Sequence, residues 1–264
     1  MLSTTDKLLA EKDGAIGRIV FNQPEKRNAI SFEMWQAIPV ALDAFAADDA
    51  IRVVVVSGAG GKAFSAGADV SQFESKRSSK DTTAEYNTAV MHAVENLKAF
   101  DKPTIAKIEG YCLGGGLNVA VACDLRIARD DARFAIPAAK LGLGYRYGSI
   151  RMLMDLVGPA NTKEILYSAR QFNAEEARAM GLVNQVLPGA KLDEYVDSYA
   201  ARIAGNAPLT VHAVKTIVAE ALKDADQRDL ALCEELVERC FASEDYKEGR
   251  RAFMEKRKPN FTGS

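Results

Sequence analysis

Two short segments of small residues have the composition needed to present bare backbone N–H groups to a ligand. They are Ser65–Asp69 and the triple glycine Gly114–Gly116. Such residues leave the amide uncovered by a side chain, and the second segment opens onto a helix-forming stretch, whose dipole favours negative charge. Two converging N–H donors form an oxyanion hole, which stabilises negative charge on a carbonyl oxygen. Glycine-rich turns also occur as purely structural turns, so composition alone leaves both interpretations open.

A third glycine-rich segment, Gly58–Ala63, fits the loose GxGxxG/A fingerprint of dinucleotide-binding sites. That fingerprint must open a helix, so that the helix N-terminus meets a pyrophosphate. The residues that follow, Phe64–Asp69, lack helical periodicity. We therefore interpret Gly58–Ala63 as a turn that ends a strand, and we expect no nicotinamide cofactor.

The elements that must position these segments follow a strand–strand–helix rhythm over residues 1–190. From Lys191 onward only helical patterns remain, so the sequence predicts an α/β core (1–190) followed by a helical region (191–264). The predicted strands are Ala15–Phe21, Ile51–Val56, Thr104–Ile108 and Asp124–Ala128.

Helix boundaries are also marked in the sequence. Ser31 is a suitable N-cap for the first helix, which Pro39 is expected to kink or divide. Asn173–Glu176 is a capping box for a later helix, and Gly181 is placed to end it. The polar stretch Ser71–Thr83 is predicted to be a mobile loop.

Bulk composition excludes several classes of function. The chain has 264 residues, a net charge of −2 and no long run of one sign, which argues against nucleic acid as a partner. Two separated histidines and four cysteines without CxxC spacing give no metal site. Reduced cysteines, no signal peptide and no apolar stretch of ~20 residues predict a cytoplasmic protein without membrane contact.

Five sequence strings together resemble the enoyl-CoA hydratase/isomerase (crotonase) superfamily. They cover nearly the whole chain in order, with family-like spacing. The resemblance implies a crotonase-like α/β spiral of ββα units with a helical C-terminal trimerisation region. It also implies homotrimers, often paired as dimers of trimers, and an acyl-CoA substrate whose coenzyme A is not a separate cofactor. The strings are PEKRNAIS, AFSAGADV, KPTIAKIEGYCLGGGLNVAVACDLRIA, LYSARQFNAEEARAMGLVNQVLP and SEDYKEGRRAFMEKRKPNFTG.

The resemblance also assigns residues. The Ala66–Asp69 segment matches the family's loop that contacts coenzyme A and gives the first oxyanion N–H, which we assign to Ala66. Gly115 matches the second donor. Phe253 and Lys256 match positions that reach coenzyme A, often from a neighbouring subunit. The expected substrate-binding residues are Lys26, Arg27, Ala66, Gly67, Ala68, Asp69, Gly115, Phe253 and Lys256.

Two positions depart from the hydratases of the family. Hydration requires one group that activates water and one that delivers a proton, and family hydratases use two glutamates. This sequence has Asn118 and Ala138 at those positions. An asparagine amide can hold a water but cannot take its proton at neutral pH. Standard hydration is therefore doubtful, and so is the isomerase route that keeps the second glutamate.

The run Leu141–Ser149 is similar to an LGxxY arrangement in methylmalonyl-CoA decarboxylases of the superfamily, where the tyrosine lies in the site. Tyr145 matches it, whereas Ala68 replaces a histidine of those enzymes. Decarboxylation needs an enolate stabiliser and a carboxylate pocket but no general base, and Arg146 could bind the carboxylate. The alternative interpretation is that Tyr145 and Tyr147 only pack and that Arg146 faces solvent.

Two further ionisable residues are given structural interpretations. We expect Asp69 to fix its loop and His92 to be packed against the core. Three functions remain open. The first is an acyl-CoA lyase or isomerase that uses Tyr145, Arg146 or Asn118. The second is a decarboxylase or hydrolase, and the third is a catalytically silent CoA- or RNA-binding relative.

Overall fold

The computed structural model of the chain describes residues 4–72 and 79–264. Within them, the strands form two sheets. The strands are β1 (Leu8–Asp13), β2 (Ile16–Phe21), β3 (Val53–Gly58), β4 (Ala63–Ser65), β5 (Thr104–Ile108), β6 (Tyr111–Leu113), β7 (Leu125–Arg129), β8 (Arg133–Ala135), β9 (Phe172–Asn173) and β10 (Gln185–Leu187).

Helices follow the strand pairs and then form the end of the chain. They are α1 (Phe32–Ala46), α2 (Lys80–Ala99), α3 (Gly115–Ala122), α4 (Tyr147–Ser168), α5 (Ala174–Ala179), α6 (Gly189–Ala204), α7 (Pro208–Ala221), α8 (Leu230–Ala242) and α9 (Glu244–Met254). Helix α4 bends at Gly158, whose φ of 74° is not helical.

The strand pairs β3/β4, β5/β6 and β7/β8 each contribute one strand to each sheet, whereas β1 and β2 of the first unit both lie in the large sheet. The large sheet has the order β1-β2-β3-β5-β7-β10, and the small sheet has the order β4-β6-β8-β9. Pairing is parallel from β2 to β10 in the large sheet and from β4 to β8 in the small one. The first strand, β1, is antiparallel to β2, and β9 is antiparallel to β8. The predicted α/β spiral of ββα units is therefore confirmed.

The valine run of β3 shows why the large sheet is buried on both faces. Val54 and Val56 face the main core, which α1, α2 and α3 share. Val53 and Val55 face the other side, where Val196 of α6 packs against them. Alternate side chains of a strand point to opposite faces, so a continuous apolar run is the pattern expected of a covered parallel strand.

Several predicted boundaries are confirmed and others shift. Thr104–Ile108 is a strand at the predicted bounds, whereas the predicted Ile51–Val56 strand begins and ends two residues later. Ser31 caps α1, since its hydroxyl accepts a hydrogen bond from the Met34 amide. The capping box of α5 is present, and Gly181 has the left-handed φ of 82° that follows a helix end.

Pro39 was expected to kink or divide the first helix, and the division does not occur. Helix α1 continues through Pro39, which is itself buried. A proline removes one helical hydrogen bond, but the buried stripe that includes Ile38 and Leu42 holds both halves against the core. Tertiary packing thus outweighs the local penalty.

Residues 73–78 of the predicted mobile loop Ser71–Thr83 lie outside the described residues. Its end is not a loop, because Lys80–Thr83 form the first turn of α2. Ser79 and Thr82 cap that turn reciprocally.

In the described part of the chain no strand follows β10, which agrees with the predicted helical pattern from Lys191 onward. The proposed boundary between 190 and 191 stays a prediction. No helix among the described residues combines the length and the apolar character that crossing a bilayer requires.

Candidate active site

The loop after β4 is fixed to the segment that precedes α1. The Ile30 amide donates to the Gly67 carbonyl at 2.7 Å, and the Asp69 amide donates to the Ile30 carbonyl at 2.9 Å. The Gly67 amide donates to the Ser65 hydroxyl at 3.1 Å, and Gly67 has a φ of 101°, which favours glycine. Ala68 lies between Gly67 and Asp69, and its amide takes part in neither of the two hydrogen bonds with Ile30.

The prediction that the Ala66 amide is the first oxyanion donor is wrong. The Ala66 amide donates to the Arg27 carbonyl at 2.9 Å, so its N–H is occupied within the chain. Ala68, which the sequence placed only among the binding residues, has an amide without an acceptor in residues 4–72 and 79–264. A Cβ atom placed on Gly115 would lie 3.4 Å from the Ala68 nitrogen, so these two residues are in contact.

The three glycines Gly114–Gly116 have different structural roles at the start of α3. Gly114 has a φ of 49°, and its amide donates to the Ala135 carbonyl at 2.8 Å. Gly115 begins α3, and its amide has no acceptor in the described part of the chain. A Cβ atom on Gly116 would come within 2.6 Å of the Ser65 Cβ. Glycine at 116 therefore lets α3 approach β4 closely, which brings the amide of Gly115 beside that of Ala68.

A cavity of about 250 Å³ opens beside these two amides. The described residues that line it include no Asp, Glu, His or Lys. The lining residues are Trp35, Ala66, Gly67, Ala68, Val70, Tyr86, Asn87, Val90, Gly114, Gly115, Asn118, Ile136, Pro137, Ala138, Leu141, Leu143, Gly144, Tyr145, Arg146 and Ser149.

A second cavity, of about 240 Å³, adjoins the first. The two share five lining residues, among them Asn118, Arg146 and Ser149. The second cavity is lined by apolar side chains of α2 and α4 and also by Glu95 and Lys98. Glu95 and Lys98 were not predicted as cavity residues, because helical periodicity alone does not tell which face of α2 borders a cavity.

Asn118 is the residue that the resemblance aligns with the first glutamate of a hydratase. Its side chain is buried, and its Nδ2 donates to the Ser149 hydroxyl at 3.0 Å. This contact leaves Oδ1 to accept a hydrogen bond from a ligand or a water. Ala138 is also buried and presents only a methyl group to the cavity. Neither side chain can exchange a proton at neutral pH.

Tyr145 and Arg146 both line the cavity, whereas Tyr147 is 77% exposed and does not. The half-buried Tyr145 hydroxyl lies 3.5 Å from the Gly114 carbonyl, and burial raises the pKa of this phenol well above its usual value. The hydroxyl therefore keeps its proton throughout the neutral range. Arg146 precedes the first residue of α4 and is exposed to solvent, with no ion pair among the described residues.

Asp69 holds the loop, as expected. Burial opposes ionisation of its carboxyl, but hydrogen bonds from Ser71 and Lys26 outweigh it and hold the pKa of Asp69 below its ordinary value. The Lys26 Nζ lies 3.0 Å from the Asp69 Oδ2. Arg27 stacks on the Tyr111 ring with its guanidinium carbon 5.0 Å from the ring centroid. The predicted binding residues Lys26 and Arg27 thus brace the loop from outside the cavity.

Phe253 and Lys256 are not brought to this cavity within one chain. Phe253 is 83% exposed and lines a separate apolar cavity of about 630 Å³ among α7, α8 and α9. The expectation for His92 is wrong, because its side chain is exposed on α2. The described residues contain no group of three or more His, Cys, Asp or Glu side chains suited to a metal ion.

Comparisons with known proteins find similarity along nearly the whole chain. The model of the family described as enoyl-CoA hydratase/isomerase matches residues 11–264. Crotonyl-CoA hydratase of Syntrophomonas wolfei subsp. wolfei is 33% identical over 256 residues, which are 97% of this chain and 98% of that protein. Short-chain-enoyl-CoA hydratase of Clostridium acetobutylicum is 32% identical over 253 residues, which are 96% of each. A crystal structure of an enoyl-CoA hydratase/carnithine racemase from Magnetospirillum magneticum has a TM-score of 0.94 at 34% identity, and the match covers 100% of this chain and 98% of that one.

Proposed function

The chain belongs to the enoyl-CoA hydratase/isomerase family, and from that premise we propose that it binds an acyl-CoA and stabilises the enolate of its thioester. The membership confirms the resemblance carried by the five sequence strings. One observation carries the proposal. Ala68 and Gly115 are adjacent at the wall of the same cavity, and among the described residues neither amide has an acceptor and no carboxylate lines the cavity.

The two amides stabilise the charge that develops on the thioester oxygen. When a bond at the α-carbon breaks, the electron pair moves into the carbonyl and leaves an oxyanion. Donors already aimed at that oxygen need no reorganisation, and loss of one such donor costs about 10²–10³ in rate. The Gly115 amide is also the first of α3, whose dipole favours negative charge at this end.

Standard hydration is not the reaction we propose. The relatives are named hydratases, but addition of water requires a base and an acid, each worth about 10²–10⁴ in rate. Asn118 and Ala138 supply neither. The nearest cavity-lining carboxylate in the described residues is Glu95, which borders only the adjoining cavity.

A second candidate, decarboxylation of a carboxylated acyl-CoA, is favoured by Tyr145 and Arg146. In that reaction the bond from the α-carbon to the carboxylate breaks, its electron pair forms the enolate and carbon dioxide leaves. The enolate carbon then takes a proton, for which the neutral Tyr145 hydroxyl in the same cavity is the proposed donor, and the phenolate regains its proton from water. The cationic Arg146 and the free Oδ1 of Asn118 line the same cavity, and the guanidinium would hold the carboxylate before it leaves.

One set of assays separates these functions. The protein is incubated with crotonyl-CoA, a 3-enoyl-CoA and methylmalonyl-CoA, and each reaction is followed by absorbance and by mass. Release of carbon dioxide from methylmalonyl-CoA alone would support the second candidate, and migration of the 3-enoyl double bond would support a lyase or isomerase. Hydration of crotonyl-CoA at a rate typical of hydratases would contradict the argument from Asn118 and Ala138. Free coenzyme A would indicate hydrolysis, and binding without turnover would indicate a silent relative.

We also propose that the chain forms a homotrimer or a dimer of trimers. The observation in support is the apolar surface of α7, α8 and α9, where Val214, Phe241 and Phe253 are 59%, 60% and 83% exposed. Exposed apolar patches of this kind mark association surfaces. Sedimentation analysis of the wild type and of Phe253→Glu tests this proposal. A monomeric wild type would contradict it.

A further inference from the structure

Arg126 is a buried charge that the proposed reaction does not use. It lies on β7 and is 2% exposed. Its guanidinium donates only to backbone carbonyls, and no carboxylate forms an ion pair with it in residues 4–72 and 79–264. Burying a charge in this way is costly unless its hydrogen bonds are satisfied. The position of those carbonyls therefore indicates what the charge interacts with.

Three of the four acceptors lie at or just beyond the C-terminal end of α3. The Arg126 Nη1 donates to the Cys123 carbonyl at 2.6 Å and to the Ala120 carbonyl at 3.3 Å. The Nη2 donates to the Asp124 carbonyl at 3.3 Å, and the Nε donates to the Leu182 carbonyl at 2.8 Å. The last carbonyls of a helix have no partner within the helix and carry its negative dipole end. Arg126 supplies both the missing donors and an opposite charge.

The other end of α3 is the proposed oxyanion site. The helix has eight residues and begins at Gly115, so its axis is about 12 Å long. Arg126 thus lies at the C-terminal end of α3, and the Gly115 amide lies at its N-terminal end. A full charge about 15 Å from the oxyanion, at an effective dielectric constant of about 20, changes the stability of the anion about sixfold.

We infer that Arg126 is a positioning residue for the oxyanion site: it fixes α3 from behind and adds positive potential at the Gly115 amide. This inference rests on the proposed function. It concerns a residue outside the cavity, which touches no substrate and acts only through the helix. The arrangement makes the strength of the oxyanion site depend on a charge that solvent does not reach.

The test measures the pH at which bound acetoacetyl-CoA ionises to its enolate, followed by ultraviolet absorbance. Arg126→Met removes the charge, and we expect the ionisation pH to rise by about 0.8 unit, which corresponds to an enolate that is about sixfold less stable. Affinity for free coenzyme A should stay within about twofold, because the helix end does not contact it. Arg126→Lys, which keeps the charge, should recover most of the shift. The matched control is Arg133→Met, because Arg133 also donates to backbone carbonyls but not to those of α3.

A second pair of variants keeps Arg126 in place in case Arg126→Met does not fold. Cys123 is buried, and its carbonyl accepts the 2.6 Å hydrogen bond from the Arg126 Nη1. Cys123→Asp places a carboxylate beside the guanidinium and should raise the ionisation pH, whereas Cys123→Asn should not. Equal ionisation in both of these variants, or in folded Arg126→Met and the wild type, would overturn the inference. Failure of the wild type to promote ionisation of acetoacetyl-CoA would instead contradict the proposed function.

Discussion

At the scale of single residues, the site depends on which amides remain unpaired. Ala66 and Ala68 have the same side chain and lie two positions apart, yet only the Ala66 amide meets an acceptor, the Arg27 carbonyl. A proline removes a backbone N–H without adding charge, so it can test the two positions separately.

Ala68→Pro should lower the rate of any enolate-forming reaction by about 10²–10³ while acyl-CoA binding is retained, because it removes one oxyanion donor. The contacts on either side use the Gly67 carbonyl and the Asp69 amide, so the loop keeps its hydrogen bonds. Steady-state kinetics and calorimetric binding measure the two effects. Ala66→Pro is the comparison. It should chiefly lower thermal stability, and a larger rate loss there than at Ala68 would reverse the assignment.

Installing the missing acids tests whether the hydratase reaction is absent only for want of proton transfer. The double variant Asn118→Glu, Ala138→Glu should raise the rate of crotonyl-CoA hydration by at least about 10², since each acid or base is worth about 10²–10⁴. Each single variant should gain much less. Absorbance of the enoyl thioester follows the reaction. No gain in a folded double variant would mean that the cavity does not hold crotonyl-CoA in a reactive position.

The sequence indicated most of this site but not its final assignment. The small-residue loops, Asn118 and Tyr145 were identified because residue type and local spacing are visible in one dimension. The choice between Ala66 and Ala68 was not visible, because it depends on the Arg27 carbonyl, which is distant along the chain. Ser149 was missed for the same reason, since its contact with Asn118 exists only after α3 and α4 pack.

At the scale of elements, the site depends on the close approach of α3 to β4. Gly116 permits this approach because any Cβ atom there would overlap Ser65. The Ser65 hydroxyl in turn accepts a hydrogen bond from the Gly67 amide, which fixes the loop that carries Ala68. One contact between a helix and a strand therefore sets the relative position of both proposed donors.

Gly116→Ala should push α3 away from β4. We expect a loss of about 1–3 kcal/mol in the free energy of unfolding, as for other overpacked sites, together with weaker enolate formation. Denaturant unfolding and acetoacetyl-CoA absorbance measure the two. Gly148→Ala is the control, because a Cβ atom there meets nothing within 4 Å and alanine favours the first turn of α4. Equal effects at both positions would contradict this role for Gly116.

Elements were predicted from sequence where one signal dominated. The valine run of β3 and the capping box of α5 were clear, because burial and capping leave local patterns. The predicted division of α1 at Pro39 does not occur, because burial of the helix against the core outweighs the lost hydrogen bond. Strand β1 was missed, because only two of its side chains, Leu8 and Ala10, face the core.

At the scale of the whole molecule, two buried thiols link stability to alkaline pH. Cys112 and Cys123 are fully buried, and burial raises the pKa of both, that of Cys123 to about 12. In the folded state both thiols thus keep their protons at alkaline pH values at which the same thiols of the unfolded chain ionise. The stability from this source is complete below pH 9 and is lost as pH rises from 9 towards 12.

Unfolding by urea at pH 8 and pH 10.5 should show this loss. Each raised thiol lowers the free energy of unfolding by about 1.4 kcal/mol per pH unit in this window. In Cys123→Ala the decrease between the two pH values should be smaller by about 2 kcal/mol, after the cost of the lost side chain is subtracted at pH 8. An unchanged decrease would show that Cys123 ionises freely in the folded protein.

The order of strands in the large sheet follows their order along the chain. During synthesis, each ββα unit therefore emerges next to a unit that is already folded, and no strand must wait for a later one to be inserted beside it. The loop of Ala68 belongs to the unit of β3 and β4, and Gly115 belongs to the unit of β5 and β6. The amides of Ala68 and Gly115 consequently come together when the second of these units packs against the first. A chain that ends directly after β8 would already hold both amides but lack Tyr145 and Arg146, so vectorial assembly would build the proposed oxyanion site before the side chains that would select its substrate.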